Sequence, residues 1–358
     1  MRSRWLLSVL FILGLTLGAP KASATLLFAG GEDIDFICTN VCSFVMPNGS
    51  YRAAWARGAY SVNPGASDPP ASYFSTPTFT GNATIWIHAQ YYQGNTNTSS
   101  GSQQIRVVDN LGNPSLIVRG TGTAGTVKIS SRTSAGVFTD LVTCSATMPD
   151  TNLDQLDLYV NYSTTGEVTL YKNSVSICDY TGNVTNGDGA TTITRAQFGG
   201  ATSNGDWSEV IVATADTRAM ARYTASTAGN GNTTGFSGTN ICSAIWNVTS
   251  FNDSNFGYSG SNSVLQECTV NSSIAPGVYS VLGLVMSARA LVGSTGPQHF
   301  DFLTRTANTD YASGDFAPTT SFSNITNYIQ TVNPSTSNPW AVSDFQAAGF
   351  NVGEKTKP

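Results

Sequence analysis

The chain carries 358 residues at a formal net charge of −5, with 11% charged, 40% hydrophobic and 10% aromatic residues. That balance excludes intrinsic disorder, because disordered chains are aromatic-poor and charge-rich. With only five Glu, it also argues against long exposed helices. It excludes a nucleic-acid partner, which needs clustered Lys and Arg, and two His leave little room for His-rich metal or triad chemistry.

In chain order, Arg2 and Arg4 precede an apolar stretch over 5–18, Pro20 breaks it, and Ala22-Ser23-Ala24 reads as a small-residue cleavage site. The pattern predicts a signal peptide over 1–24, too short for a membrane span. Export follows, to a secreted or extracytoplasmic location, with no membrane span after signal cleavage. Six Cys in an oxidising compartment favour disulfides over zinc. Several pairings are open; local strand geometry prefers Cys38–Cys42, Cys144–Cys178 and Cys242–Cys268.

Strand signals follow closely on one another. Residues 83–89 (ATIWIHA) alternate, 104–108 lead through the turn 109–114 into 115–118, and 126–130 alternate again. In 155–162 (QLDLYVNY), Leu156, Leu158 and Val160 share one face, with Asp157 and Tyr159 on the other. A turn at 163–166 leads into 167–171, and 207–213 closes this half. Many short strands with polar turns predict an all-β sandwich or jelly roll over 25–217. Residues 214–220 suit one helical turn. The Gly/Ser/Thr/Asn-rich stretch 218–240 reads as a linker or loop. Strand signals at 241–248, 263–270 and 277–289 then predict a smaller C-terminal β domain over 241–358. It ends in a short helix with Ser343 as N-cap and Gly349 as C-cap.

Residues 153–181 (LDQLDLYVNYSTTGEVTLYKNSVSICDYT) resemble the core hairpin of laminin-G-like, concanavalin A-like jelly rolls, with Gly166, Tyr171 and Asn173 at the two turns and the aromatic between them. The resemblance extends over 72–213 and implies that fold. Residues 26–36 (LLFAGGEDIDF) and the Asn333-Pro334-x-Thr336-x-x-x-Trp340 pattern closing in Phe350-x-Val352-Gly353 resemble the two ends of a set of tailed-phage virion-associated proteins. That likeness implies a virion location as the alternative to secretion.

Glycoside hydrolases of concanavalin A-like fold carry two carboxylates on one strand face. No Glu-x-Asp-x-x-Glu run occurs here, and the nearest cluster, Glu32-Asp33-Ile34-Asp35, lies outside the central strands. His88 reads as a hydrogen-bonded structural residue and His299 as a loop or strand-start residue. No cofactor is expected. Calcium is the alternative, at Asp301, Asp310 and Asp315 or at Asn186, Asp188 and Asp206, each set also explained as turn formers. Glycan recognition needs an aromatic platform flanked by amides. Trp86, Tyr91, Tyr92, Gln93 and Asn95 have that composition, and no catalytic residue is assigned. The expectation is a non-catalytic protein for adhesion, glycan recognition or assembly, with a glycan or protein surface as partner and homo-oligomer or virion assembly in the same class. The alternative is a polysaccharide-active glycoside hydrolase.

Overall fold

The computed structural model describes residues 4–14, 24–31, 35–39, 42–45, 58–61, 73–93, 103–120, 125–147, 153–200, 205–238, 241–242, 253–254, 256–271 and 280–358. Its strands are β1 (Arg4–Gly14), β2 (Leu26–Gly30), β3 (Ile37–Thr39), β4 (Cys42–Val45), β5 (Gly58–Ser61), β6 (Tyr73–Ser75), β7 (Thr84–Gln93), β8 (Gln103–Asp109), β9 (Pro114–Gly120), β10 (Thr126–Arg132), β11 (Phe138–Ser145), β12 (Leu153–Asn161), β13 (Gly166–Lys172), β14 (Val175–Gly182), β15 (Ile193–Gly200), β16 (Gly205–Ala213), β17 (Met220–Thr234), β18 (Leu265–Asn271), β19 (Ser280–Leu291), β20 (His299–Thr306), β21 (Thr309–Phe316), β22 (Ser323–Gln330) and β23 (Asn351–Lys357). A helix, α1 (Val342–Gln346), lies before the last strand. The chain divides into two compact units, residues 18–220 and residues 1–17 with 221–358.

The unit over 18–220 is an antiparallel sandwich, the all-β class that the alternation predicts. One sheet runs β11-β10-β9-β8-β15-β6-β3, the other β14-β13-β12-β7-β16-β5-β4, with β2 also paired to β16. The two-residue strand period fills the space between them. Ile85, Ile87 and Ala89 of β7, Leu156, Leu158 and Val160 of β12, and Ile105, Val107, Leu116 and Val118 of the other sheet form one buried cluster. A chain of ring contacts, Phe28–Phe36–Phe74–Phe198–Trp207–Tyr91, runs through this core. The hairpin β13–β14 turns at Asn173 and Ser174, both in the left-handed region (φ 50° and 66°), which is the primed turn that matches strand twist. At the β12–β13 turn, a Cβ on Gly166 would lie 2.1 Å from the Asn161 carbonyl oxygen, so that turn requires glycine.

The predicted bridge Cys144–Cys178 is present, with Cα atoms 5.5 Å apart. It joins β11 to β14, the edge strands of the two sheets. Cys242–Cys268 is also present. The side chains of Cys38 and Cys42 lie outside the described residues.

In the other unit, eight strands form one sheet in the order β21-β20-β23-β18-β17-β1-β19-β22. Its core gathers Leu284, Met286, Ala288, Phe300, Phe302, Trp340 and Phe345. Five expectations meet a different structure here. The stretch 218–240, read as a linker, carries the fifteen-residue strand β17. Gly231 there serves close approach rather than flexibility: a Cβ on it would meet Glu267 Cβ at 2.7 Å. Residues 214–220 form bends and a turn closed by Met220 N–H to the Thr217 carbonyl, not a helical turn. Ile241 and Cys242 are helical rather than extended, and 243–248 lie outside the described residues. The short helix is capped by Ala341, whose N–H donates to the Asp344 carboxylate 2.8 Å away, and ends at Ala347. Residues 4–14, which overlap the apolar stretch 5–18 expected to be the core of a leader, form β1, paired antiparallel with β19 from Arg4↔Leu291 to Gly14↔Ser280. An unbroken apolar run serves either role, so pattern alone does not separate them.

Candidate functional site

Three strands of the sandwich's second sheet present the only ring cluster that the described residues place on its outer face. Register sets Trp86 of β7 directly opposite Tyr159 of β12, and Asp157 of β12 opposite both His88 of β7 and Tyr171 of β13. Paired residues in an antiparallel ladder point to the same side. Trp86, His88, Asp157, Tyr159, Thr169 and Tyr171 therefore share one face, while Leu156, Leu158 and Val160 face the core. The Trp86 ring centroid is 4.9 Å from that of Tyr159 and 5.6 Å from that of Tyr171. All three rings are partly exposed.

The segment after β16 lies over this cluster. The Arg218 guanidinium carbon stands 4.5 Å from the Tyr171 centroid and 5.4 Å from the Trp86 centroid. Asp216 holds it through Nε (3.0 and 3.1 Å) and Nη2 (2.6 Å). That hydrogen-bonded carboxylate keeps the guanidinium above its ordinary pKa, although partial burial opposes it.

Beneath the segment, Asp157 is a hub. Its Oδ1 meets His88 Nδ1 at 2.8 Å and accepts from Thr217 Oγ1 at 2.8 Å; its Oδ2 accepts from Gln155 Nε2 at 2.7 Å. Gln155 Nε2 also donates to the Arg218 carbonyl at 2.9 Å, so β12 pins the Arg218 segment twice. His88 and Asp157 are 1% and 0% exposed. A bulge in β16 between Ser208 and Ile211 leaves Glu209 buried in the left-handed region (φ 50°). Burial opposes the charged form of His88, but Asp157 and Glu209 outweigh it and raise its pKa above the ordinary value. The structural reading of His88 fits this geometry, because no solvent reaches either partner. Asp157 lies opposite the leucines as the alternation requires, yet it is buried under residues 214–220.

Of the expected platform, Trp86 lies in the cluster. Tyr91 is corrected: it is 1% exposed on the core face, edge-on to Trp207 at 4.5 Å, where no ligand reaches. The side chains of Tyr92 and Gln93, and all of Asn95, lie outside the described residues. Tyr159, Tyr171 and Arg218 were not singled out as ligand residues. The alternation in β12 already set Tyr159 opposite the leucines, but which rings meet depends on inter-strand register.

The acidic residues considered for calcium are already engaged. Asp301 pairs with Lys357 at 3.2 Å, Asp310 with Arg305 at 2.5 Å, and Asp315 with His299 at 3.0 Å. Hydrogen bonds from His299 and Lys357 keep the Asp315 carboxyl below its ordinary range. Asp188 accepts from Asn186 and Asn113, and the Asp206 side chain lies outside the described residues. Among the described residues, no three metal-binding side chains converge. Of the cluster at 32–35, Glu32 and Asp33 lie outside the described residues, and Asp35 accepts from the Gly31 N–H at 2.9 Å. The Asn333…Trp340 pattern builds a packed turn. Asn333 Oδ1 accepts from the Ser335 N–H, and Trp340 sits against Phe345 while its indole donates to the Gln330 carbonyl.

No protein-family model matches the chain, and no curated protein sequence matches it. Solved structures of similar layout include the T. cruzi calreticulin globular domain, at 10% identity over 52% of this chain and 87% of that one with a TM-score of 0.38. The carbohydrate binding module CBM66 from Bacillus subtilis matches at 7% identity over 50% and 96%, with a TM-score of 0.35. An endo-beta-1,4-glucuronan lyase from the fungus Trichoderma reesei matches at 10% over 59% and 97%, with a TM-score of 0.37. These likenesses concern strand layout, and such scores carry no weight for what the sheet face does.

Proposed function

We propose that this protein is a non-catalytic glycan-binding protein of an extracytoplasmic surface, secreted or on a virion, and that the Trp86–Tyr159–Tyr171 face is its binding site. The observation that carries the reading is the contact of three partly exposed rings on the outer face of a sheet whose other face is apolar core. A sugar's C–H face stacks on such rings, and the Arg218 guanidinium and neighbouring hydroxyls meet its oxygens. Non-catalysis is supported by the burial of His88 and Asp157, whose paired atoms face each other and no substrate.

Sugars exchange water hydrogen bonds for similar protein ones, so each site binds weakly, at about millimolar Kd, and many copies on one surface supply the avidity. The test is affinity electrophoresis of the full chain through gels holding soluble polysaccharides. The expected result is retardation that Trp86→Ala removes without changing the circular dichroism spectrum. Release of reducing ends, lost on substituting one carboxylate, would overturn the non-catalytic assignment.

A further inference from the structure

We infer that the ligand of this face is an amine-bearing glycan, a polymer of deacetylated hexosamine, and that uronate and sulfated polymers are rejected; the inference rests on the glycan-binding reading above. Carboxylates frame the ring cluster. Register sets Glu167 opposite Asn161 and Asp179 opposite Thr169, on the same face as Tyr159 and Tyr171. Glu167 is partly exposed and Asp179 exposed. Glu167 is close enough that, with burial, it raises the Tyr159 phenol pKa.

The charges of the face do not cancel. Asp157 is answered by His88, and Arg218 by Asp216 through two of its nitrogens. Among the described residues, neither Glu167 nor Asp179 has a cationic partner; Glu167 accepts a hydrogen bond from Thr169 Oγ1 at 3.1 Å. Two uncompensated carboxylates beside three rings suit an ammonium twice over. The carboxylates attract it through space, and ring faces attract cations lodged over them. A uronate carboxylate meets the same two charges as repulsion. The one guanidinium in reach has its Nε–Nη2 edge taken by Asp216, which leaves only its outer edge for a carboxylate and offsets its charge.

The experiment runs the full chain through gels holding chitosan, hydroxyethyl cellulose or polygalacturonate, at about pH 6, where hexosamine amines are charged and carboxylates ionised. Salt is kept at about 20 mM so that exposed charges are weakly screened. Wild type is held by chitosan. Trp86→Ala and the double variant Glu167→Gln/Asp179→Asn each lower that retention about five-fold or more. Polygalacturonate does not retain the protein. Equal retention of wild type and Trp86→Ala on chitosan would mean attraction to the net negative chain alone and would overturn the inference. Retention on polygalacturonate that depends on Trp86, or on hydroxyethyl cellulose but not chitosan, would overturn it while leaving glycan binding intact. Loss of all Trp86-dependent retention on all three polymers would instead sink the glycan-binding reading itself. The double variant alters only surface polar groups, so it reads the site even if Trp86→Ala fails to fold.

Discussion

His88 Nδ1 lies 2.8 Å from Asp157 Oδ1 across the β7–β12 ladder, with both side chains sealed from solvent. The pair links two levels of the molecule. It satisfies a buried carboxylate inside the sheet, and through Thr217 and Gln155 it fastens the segment that lays Arg218 on the rings.

Removing the hub takes its acceptor from buried Thr217 and its partner from buried His88, and one of two acceptors from half-buried Gln155. Asp157→Ala therefore costs about 3–5 kcal/mol, the range for breaking a buried charged pair. Urea unfolding of the 18–220 unit, followed by tryptophan fluorescence, measures it. A loss well under 1 kcal/mol would show that the pair does not hold the segment.

The same pair makes stability depend on pH. The pKa of His88 is raised in the folded state, so the folded protein keeps a proton that the unfolded chain releases. Its stabilisation is complete below the unfolded value of about 6.5 and is lost as pH rises through the folded pKa. The midpoint of urea unfolding should fall across that window in wild type and fall less in His88→Gln. Identical slopes would contradict the assignment.

Which residues face the core was legible from period alone. Leu156, Leu158 and Val160 alternate with Asp157 and Tyr159, and the structure separates them onto two faces. Which rings meet was not legible, because Trp86 finds Tyr159 only through a register set 73 residues away in the chain. Tyr91 follows Trp86 by an odd number of positions, so the same period sends it to the core, a consequence that composition obscured. The Gly/Thr-rich β17 was hidden for the opposite reason. Its Gly231 answers the bulk of Glu267 on β18 and Asn351 on β23 beyond it, and composition cannot tell such a fit from a flexible linker. The Cys144–Cys178 pair was legible because it joins two strand-like runs, whereas Cys242–Cys268 ties a helical residue to a strand.

In the other unit, Glu354 sits on β23 opposite Phe302 and Gln266, fully buried, and burial pushes its pKa up to about 8. The folded state therefore holds a proton that the unfolded chain gives up above about 4.5, and stability falls between those two values. Raising pH from about 5 to about 8 should cost wild type about 3 kcal/mol through this group. Glu354→Gln, neutral throughout, should lose that part of the slope and be the more stable form at the upper end. Thermal melts at several pH values decide it: a variant less stable than wild type at about pH 8 would mean that the carboxylate is ionised and satisfied.

The β13–β14 turn carries a correctable strain. Ser174 has φ 66°, where a Cβ is disfavoured, and it is exposed. Ser174→Gly should raise stability by about 0.5–1 kcal/mol, less the extra entropy that glycine gives the unfolded chain. A differential melt of the two proteins suffices. A clear loss of stability would show that the Ser174 hydroxyl makes a compensating contact.

Cys144 and Cys178 sit on the terminal strands of opposite sheets, so the bridge closes one open side of the core. Cys178 is buried there, its sulfur close to the Val127 carbonyl on β10. The sequence separation is 34 residues. For a loop of that size, loop-closure entropy gives about 3–4 kcal/mol of stabilisation. At about 2–4 °C per kcal/mol for a unit of this length, Cys144→Ala/Cys178→Ala should melt about 10 °C lower. The strands on either side remain paired by their ladders, so circular dichroism at low temperature should be unchanged. The ring face lies on β7, β12 and β13, and β12 separates β13 from β7 in the sheet order. Glycan retention at low temperature should therefore persist in the double variant. Loss of retention without loss of the folded spectrum would show that the bridge also sets the spacing of β13, and with it the position of Tyr171.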